Sequence, residues 1–330
     1  MKASKTFDLA DRKQNGMEIL SDGLVKARPD RKMVVIGTIF MDIKGYPDEP
    51  FYPTGRNKGR IEYIYGGVAR TVAEDLAELG YHPIFVSMAD VSGFGEDCVA
   101  KLEEAGVITD HILRRENCIG TWMVILTPEG DVCANLSKRQ DLTELGDYLD
   151  EHGAEIFSGA EGILIEIDVE ESLVSRVFGL AERFQVPVYS VTSNIVIAKE
   201  RMEYIRRSRC FICNRQEAGV LFEIDMEYME PEKIRQMMPD AMQKAGLQTM
   251  VVTMDKDGSA HARIGEGEVI SGICPAVPTE LVDSTGAGDS FFAGVSAGLM
   301  EGMELADACR IGTRMASKVI ASGENVYRPG

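Results

Sequence analysis

VDSTGAGDSFFAG, Val282–Gly294, is the stretch from which the rest of the chain can be read. Gly286, Ala287 and Gly288 are small, so their backbone amides can come close to a ligand. They run straight into an apolar, glycine-containing segment that reads as a tightly packed helix. The first amides of a helix have no acceptor within it, and its dipole makes that end electropositive. A phosphate is the natural ligand of such an end. Asp289 falls in the first turn, where an acid standing alone is equally well explained as a cap. A second acid, Asp283, lies six residues upstream.

Outward from this segment, strands and helices alternate. Met33–Gly37, Ile84–Met88, Ile163–Ile167, Pro187–Val191, Phe211–Cys213 and Met250–Met254 are short apolar runs of the kind a parallel sheet buries on both faces. Gly66-Gly67 opens a helix with Ala69, Val72, Ala73, Leu76 and Leu79 on one face and Gly80 as its C-terminal cap. Further helices are expected over about 95–105, 170–184, 288–301 and 304–321. Residues 45–60 hold three prolines and three glycines and are expected to be loop, followed by a half-exposed strand at 61–65. Thr121–Thr127 and Val132–Ser137, joined by Pro128–Asp131, read as a hairpin standing apart from the βα rhythm. The pattern predicts an α/β fold with a mainly parallel sheet over residues 33–330 and a small β lid from about 43–65 and 112–138. Residues 1–32 form a polar extension, partly helical at best.

With 330 residues and 45% hydrophobic content, the chain can bury a substantial core. A formal charge of −18 with no basic patch argues against nucleic acid and anionic membrane surfaces as partners. No apolar run is long enough to span a membrane, and the first residues carry no secretory h-region, so a cytoplasmic location is expected. The seven cysteines, an odd number mostly in apolar runs, suit reduced thiols. Cys210 and Cys213 form a lone C-x-x-C without the second pair that a structural zinc needs. The four histidines have no ligand spacing.

The segment 282–294 resembles the signature of the ribokinase-like, or phosphofructokinase-B, family of carbohydrate and nucleoside kinases. The resemblance implies a three-layer α/β sandwich with a β lid. It assigns the amides of Gly286, Ala287, Gly288 and Asp289 to an anion hole and Asp289 to the role of catalytic base. Asp283 falls where many members hold a monovalent cation, potassium being the candidate. Asn214-Arg215-Gln216-Glu217 is similar to the family's N-x-x-E element, which acts at Mg²⁺ and the ATP phosphates, Glu217 through water. The same pattern is also a common helix cap. Val251–Ser259 resembles the strand and loop lining the nucleotide site, with Thr253 and Gly258 as contacts, but Asp255 stands where the family usually has glycine. Asp42 matches the acid that binds sugar hydroxyls, and Gly66-Gly67 the di-glycine that lets the sugar approach the backbone. Arg70, Thr71 and Asp168, or Glu166 in its place, complete the implied acceptor site.

Within the family, Asp42-Ile43-Lys44-Gly45 and Gly66-Gly67-Val68-Ala69-Arg70 are most similar to the pseudouridine kinases, which phosphorylate the 5′-hydroxyl of a C-nucleoside. That subgroup, like most of the family, has asparagine where Thr71 stands, and a threonine offers a ribose fewer hydrogen bonds. The expectation is ATP- and Mg²⁺-dependent phosphorylation of a primary hydroxyl of a nucleoside or sugar, with pseudouridine first. A kinase for a free sugar such as ribose or fructose is the near alternative. A non-catalytic ligand-binding or regulatory protein on the same scaffold is the alternative of another class. Trp122 is either a lid residue over the substrate or a core or interface residue, and a homodimer through the lid is expected.

Overall fold

The computed structural model describes residues 18–19, 24–26, 30–127, 132–265 and 267–329. Within the extension, Glu18–Ile19 (β1) and Val25–Lys26 (β2) pair antiparallel, and Leu24 is fully buried. The partly helical reading of residues 1–32 otherwise falls largely outside the described residues.

The body begins with Met33–Ile36 (β3). Next come Phe40–Pro47 (β4), Gly59–Gly66 (β5), Val68–Glu78 (α1), Ile84–Asp90 (β6), Gly93–Ala105 (α2) and Ile112–Arg115 (β7). Gly120–Leu126 (β8), Val132–Lys138 (β9), Glu144–Phe157 (α3), Gly162–Glu166 (β10), Glu171–Phe184 (α4) and Val188–Val191 (β11) follow. Then come Ile195–Glu200 (α5), Met202–Arg207 (α6), Cys210–Asn214 (β12), Arg215–Phe222 (α7) and Pro231–Ala245 (α8). Thr249–Thr253 (β13), Ser259–Ile264 (β14), Val269–Cys274 (β15), Ala287–Met300 (α9) and Leu305–Ser322 (α10) complete it.

Nine strands form the central sheet in the order β15-β14-β13-β12-β11-β10-β3-β6-β7. From β13 to β7 they run parallel, and β14 and β15 are antiparallel at one edge. Alternation along β3 splits the core in two. Met33 and Val35 join the layer with α1, α2, α9 and α10; Val34 and Ile36 join the layer with α3, α4, α6, α7 and α8. This is the three-layer sandwich. Cys210 and Cys213 sit on opposite sides of it, so they cannot grip one metal ion. No helix among the described residues is long and apolar enough to cross a membrane.

A separate four-stranded sheet, β5-β4-β8-β9, makes the small β layer. The expected loop at 45–60 is shorter than proline and glycine content suggested. Gly45–Pro47 continue β4 and pair with Gly59–Ile61, with Pro47 at the strand's end, where its missing N–H costs least. Residues 121–126 and 132–137 form the expected hairpin, and its turn, 128–131, lies outside the described residues. Ile112–Arg115 pairs instead with β6 at the edge of the large sheet. Helices α3 and α5–α8 have no counterpart in the periodicity reading. Helix α3 contains Gly146 and Gly153, which weaken its sequence signal but admit Arg176 and Leu180 of α4. Helix α8 carries Pro239 inside it.

Candidate active site

The carboxyl ends of β3, β10, β11, β12 and β13 bring Thr38, Glu166, Asp168, Thr192, Ser193, Asn214 and Thr253 to one edge of the sheet, the usual place for a ligand crevice in an α/β fold. The start of α9 faces the same crevice: the charges of Asp42 and Glu217 both reach the Asp289 carboxyl. Gly286 is the N-cap of α9 at φ +80°, and a Cβ there would stand 2.0 Å from the carbonyl oxygen of Asn325. Only glycine fits that position. A Cβ at Gly288 would meet nothing within 4 Å, so this side of the turn is open. No side chain caps the helix, and among the described residues no backbone acceptor takes the amide of Gly288 or Asp289. The Ala287 amide donates to the Ser284 carbonyl at 3.2 Å, so Gly286, Gly288 and Asp289 are the amides of this turn that remain able to bind an anion.

Asp289 is half-buried, and desolvation pushes its carboxyl up to about 7, against the pull of Arg70 and with help from the charges of Asp42 and Glu217. Asp42 is pushed up to about 6 by burial, opposed by Lys44 and Arg70. Among the described residues no protein donor bonds either carboxylate. Both are therefore free to accept from hydroxyls of a ligand. The di-glycine makes the space. A Cβ on Gly66 would stand 2.4 Å from Asp42 Oδ2, and one on Gly67, at φ +99°, would stand 2.6 Å from the Thr38 carbonyl oxygen.

Arg70 and Thr71 are both buried, but they serve the protein first. Arg70 donates to the Tyr65 and Gly66 carbonyls, to Glu74 and, at 3.0 Å, to Thr71 Oγ1. Its charge still reaches Asp42 and Asp289. Asp168 is also committed. Its Oδ1 accepts from Thr192 Oγ1 at 3.1 Å and Ser193 N at 2.9 Å, and its Oδ2 from Ser193 Oγ at 2.8 Å. Glu166 accepts from Thr38 N and Oγ1 at 3.0 and 2.8 Å. Burial and the Asp168 charge push Glu166 up to about 7, against those bonds.

On the nucleotide side, Asn214 and Glu217 form a full capping box at the start of α7. Asn214 Oδ1 accepts from Glu217 N at 2.8 Å, and Asn214 N donates to Glu217 Oε2 at 2.7 Å. The box is worth about 1 kcal/mol to the helix and aims the glutamate. Burial raises the Glu217 carboxyl, as does the Asp168 charge. The Asp168 charge reaches Glu166 and Glu217, the Glu217 charge reaches Asp289, and Arg70 is a counter-charge to Asp289. Among the described residues no three acids stand close enough to hold a metal ion by themselves, so a hard divalent cation such as Mg²⁺ would take its remaining oxygens from nucleotide phosphates and water. Thr253 ends β13 opposite Asn214 and Ser259. Gly258, at φ +86°, has the Cys274 carbonyl 2.1 Å from where its Cβ would be. Asp255 is exposed at φ +50°, which explains why glycine suits this turn, and its carboxylate lies on the solvent side.

Both oxygens of Asp283 are engaged by protein donors. Its Oδ1 accepts from Thr285 N at 2.8 Å and Thr285 Oγ1 at 2.7 Å, and its Oδ2 from Lys44 Nζ at 3.2 Å. Burial raises its carboxyl, but these donors and the Lys44 charge win and hold it below the usual value. A monovalent cation at Asp283 Oδ2 would stand against the Lys44 ammonium that already bonds that oxygen. Sequence reading gave no role to Thr285, Thr38 or Ser193, and quoted Lys44 only as part of the Asp42–Gly45 motif. For Lys44 a signal existed: it lies two residues beyond Asp42 on one strand, hence on the same face.

Fold and site together define a small-molecule phosphotransferase with an alcohol acceptor. The chain belongs to the pfkB family of carbohydrate kinases, whose profile matches residues 30–326. Guanosine-inosine kinase of Exiguobacterium acetylicum is 29% identical over 299 residues, covering 90% of this chain and 97% of that protein. Pseudouridine kinase of Escherichia coli (strain K12) is 26% identical over 294 residues, covering 88% and 90%. Arabidopsis thaliana ribokinase complexed with ribose and ATP superposes with a TM-score of 0.72 at 22% identity, over 88% of this chain and 92% of that one.

Proposed function

We propose that the chain transfers the γ-phosphoryl group of ATP to a primary, 5′-type hydroxyl of a nucleoside. One observation carries this reading: two carboxylates that no protein donor satisfies, Asp42 and Asp289, share a crevice with the uncapped start of α9. Asp42 accepts from acceptor hydroxyls over the Gly66-Gly67 backbone, and Arg70 tunes the charge there. Trp122 pairs in register with Asp42 and lies on the same sheet face, so its half-buried indole offers a surface to a base. Asp289 takes the proton of the attacking hydroxyl. A new O–P bond forms as the bond from the γ-phosphorus to the departing ADP oxygen breaks. The amides of Gly286, Gly288 and Asp289, which no backbone acceptor among the described residues takes, receive the charge on the transferring group. Mg²⁺, held through Glu217, supplies neutralisation of the phosphate charge when bound. Asn214, Thr253 and Gly258 border the nucleotide, and Asp168 shapes the crevice by holding the 192–193 turn. Closure of the small sheet over the acceptor excludes water.

A nucleoside acceptor is favoured by the two relatives named for nucleosides, and pseudouridine is the first candidate, with guanosine and inosine beside it. A free pentose or hexose is the second reading. Thr71 supports it, because its hydroxyl is engaged by Arg70 where a nucleoside site would use an asparagine amide. A scaffold without catalysis would gain nothing from an unsatisfied, desolvated acid, which lowers stability. The outer face of the small sheet favours a homodimer: Leu136, Met123, Ile43 and Tyr63 form one row across four strands, and three of them are largely exposed. Five of the seven cysteines are buried free thiols, which suits the cytoplasm.

The test is ADP release with pseudouridine, guanosine, inosine, ribose and fructose, for the parent and Asp289→Asn. Turnover of a nucleoside by the parent alone is expected. Turnover of a hexose and of no nucleoside overturns the acceptor. Equal turnover in both proteins, or none with any acceptor, overturns the catalytic reading.

A further inference from the structure

The loop that feeds the anion hole is held by a cation from the other sheet. Lys44, on β4, donates to Asp283 Oδ2 at 3.2 Å and to Thr285 Oγ1 at 3.0 Å, and its side chain is only 6% exposed. Asp283 Oδ1 holds Thr285 twice, so the ammonium closes a ring of donors and oxygens one residue before Gly286. The same loop is anchored from behind, where Val282 N and Asp283 N donate to the Ile320 carbonyl. On its far side the Asn325 carbonyl oxygen presses on Gly286, and Asn325 Nδ2 donates to the Tyr65 carbonyl at 2.6 Å. Lys44, Asp283, Thr285, Asn325 and Arg328 border one cavity of about 270 Å³.

A unit positive charge among these oxygens is what a potassium ion would provide. The ammonium is compact, donates in three directions and is delivered by the chain itself. A second monovalent cation at the same oxygens would meet its charge directly. We propose that the Lys44 ammonium acts as a built-in monovalent cation that sets the Asp283–Thr285 loop, and with it the Gly286–Asp289 amides, so that catalysis is independent of potassium. Lys44 is a positioning residue here: it touches the loop and acts on the transferring phosphate only through it. The inference rests on the kinase reading for its rate arm and stands apart from it in its unfolding arm.

The experiment compares the parent, Lys44→Ala and Lys44→Met in chlorides of potassium, ammonium, sodium and tetramethylammonium at equal ionic strength. Thermal unfolding and ATP turnover are both read. The parent is expected to show the same Tm and kcat in potassium and in tetramethylammonium. Lys44→Ala is expected to lose about tenfold or more of kcat in tetramethylammonium and to regain most of it in potassium or ammonium, with Tm raised selectively by those ions. Potassium stimulation of the parent overturns the proposal. So does a folded Lys44→Ala that keeps full activity, or one whose loss none of the ions repairs. Should no acceptor be turned over, the kinase reading falls, and ion-selective stabilisation of the variant but not the parent still decides this one. Lys44→Met keeps the buried stem and is read by the same criteria if the alanine variant does not fold.

Discussion

The carboxylate of Asp42 fills the space that a side chain on Gly66 would need, with a Cβ there standing 2.4 Å from Oδ2 and 2.8 Å from Cγ. An acid on one strand of the small sheet is thus seated against the neighbouring strand's last residue. Gly66→Ala must push Asp42 aside. The expected result is a rise of about tenfold or more in the KM of the acceptor, with the KM of ATP unchanged. Steady-state kinetics with both substrates varied checks it, and an unaltered acceptor KM removes Asp42 from the acceptor site.

Asp289 must be ionised to take a proton, and its carboxyl sits near 7. The rate constant kcat/KM should therefore rise with pH through about this value and level off above it. Asp289→Asn should lower kcat by about 10²–10⁴ while nucleotide binding persists. A pH–rate profile of the parent alongside calorimetric ATP titration of the variant tests both halves.

Burial of Asp289 also makes the stability of the fold depend on pH. Asp289 titrates near 3.8 when unfolded and near 7 when folded, and Asp75, fully buried, near 8 when folded. Between those values the folded state holds more protons, so stability falls as pH rises. Above pH 8 the full loss is present. Asp289→Asn removes one such loss. Its Tm should match the parent near pH 4, exceed it increasingly up to pH 7, and keep a constant lead beyond. Thermal melts across that range decide it; a lead that is greatest at pH 4 contradicts the sign.

Asp255 holds φ +50° at an exposed turn. Asp255→Gly should stabilise the fold by about 0.5–1 kcal/mol, because relief of the left-handed strain outweighs glycine's added freedom when unfolded. Chemical denaturation with an unchanged m-value is the measurement.

Met123 is 47% exposed and Leu136 73% exposed on the outer face of the small sheet. A charge there should disrupt a dimer that buries this row. Leu136→Glu should run as a monomer in sedimentation at concentrations where the parent runs as a dimer. A monomeric parent overturns the proposed assembly.

Much of the site was legible because it is local. The tripeptide and Asp289 are contiguous, so their amides and carboxylate meet whatever the rest of the chain does. Gly66 and Gly67 marked a close approach of a sugar to the backbone; in the structure Asp42 lies against Gly66 and the Thr38 carbonyl against Gly67. Asn214 and Glu217 were legible both as a cap and as ligand residues, and the cap is present in full. The helices between residues 195 and 245 were not legible, since short segments with mixed faces and an internal proline carry little periodicity. Nor could strand 45–47 be read among its prolines and glycines, because its partner residues alone make it a strand.

Local chemistry along the chain was enough to specify an α/β sheet, an electropositive helix start and an acid beside it, since each depends on neighbours a few residues apart. Which carboxylates stay free and which are spent was decided only by folding. Asp42 and Asp289 are left without donors, whereas Asp168 is taken by Ser193 and Asp283 by Lys44, partners 25 and 239 residues away. A hydrogen bond depends on distance in space, and distance between strands and loops so far apart in sequence is set by packing alone.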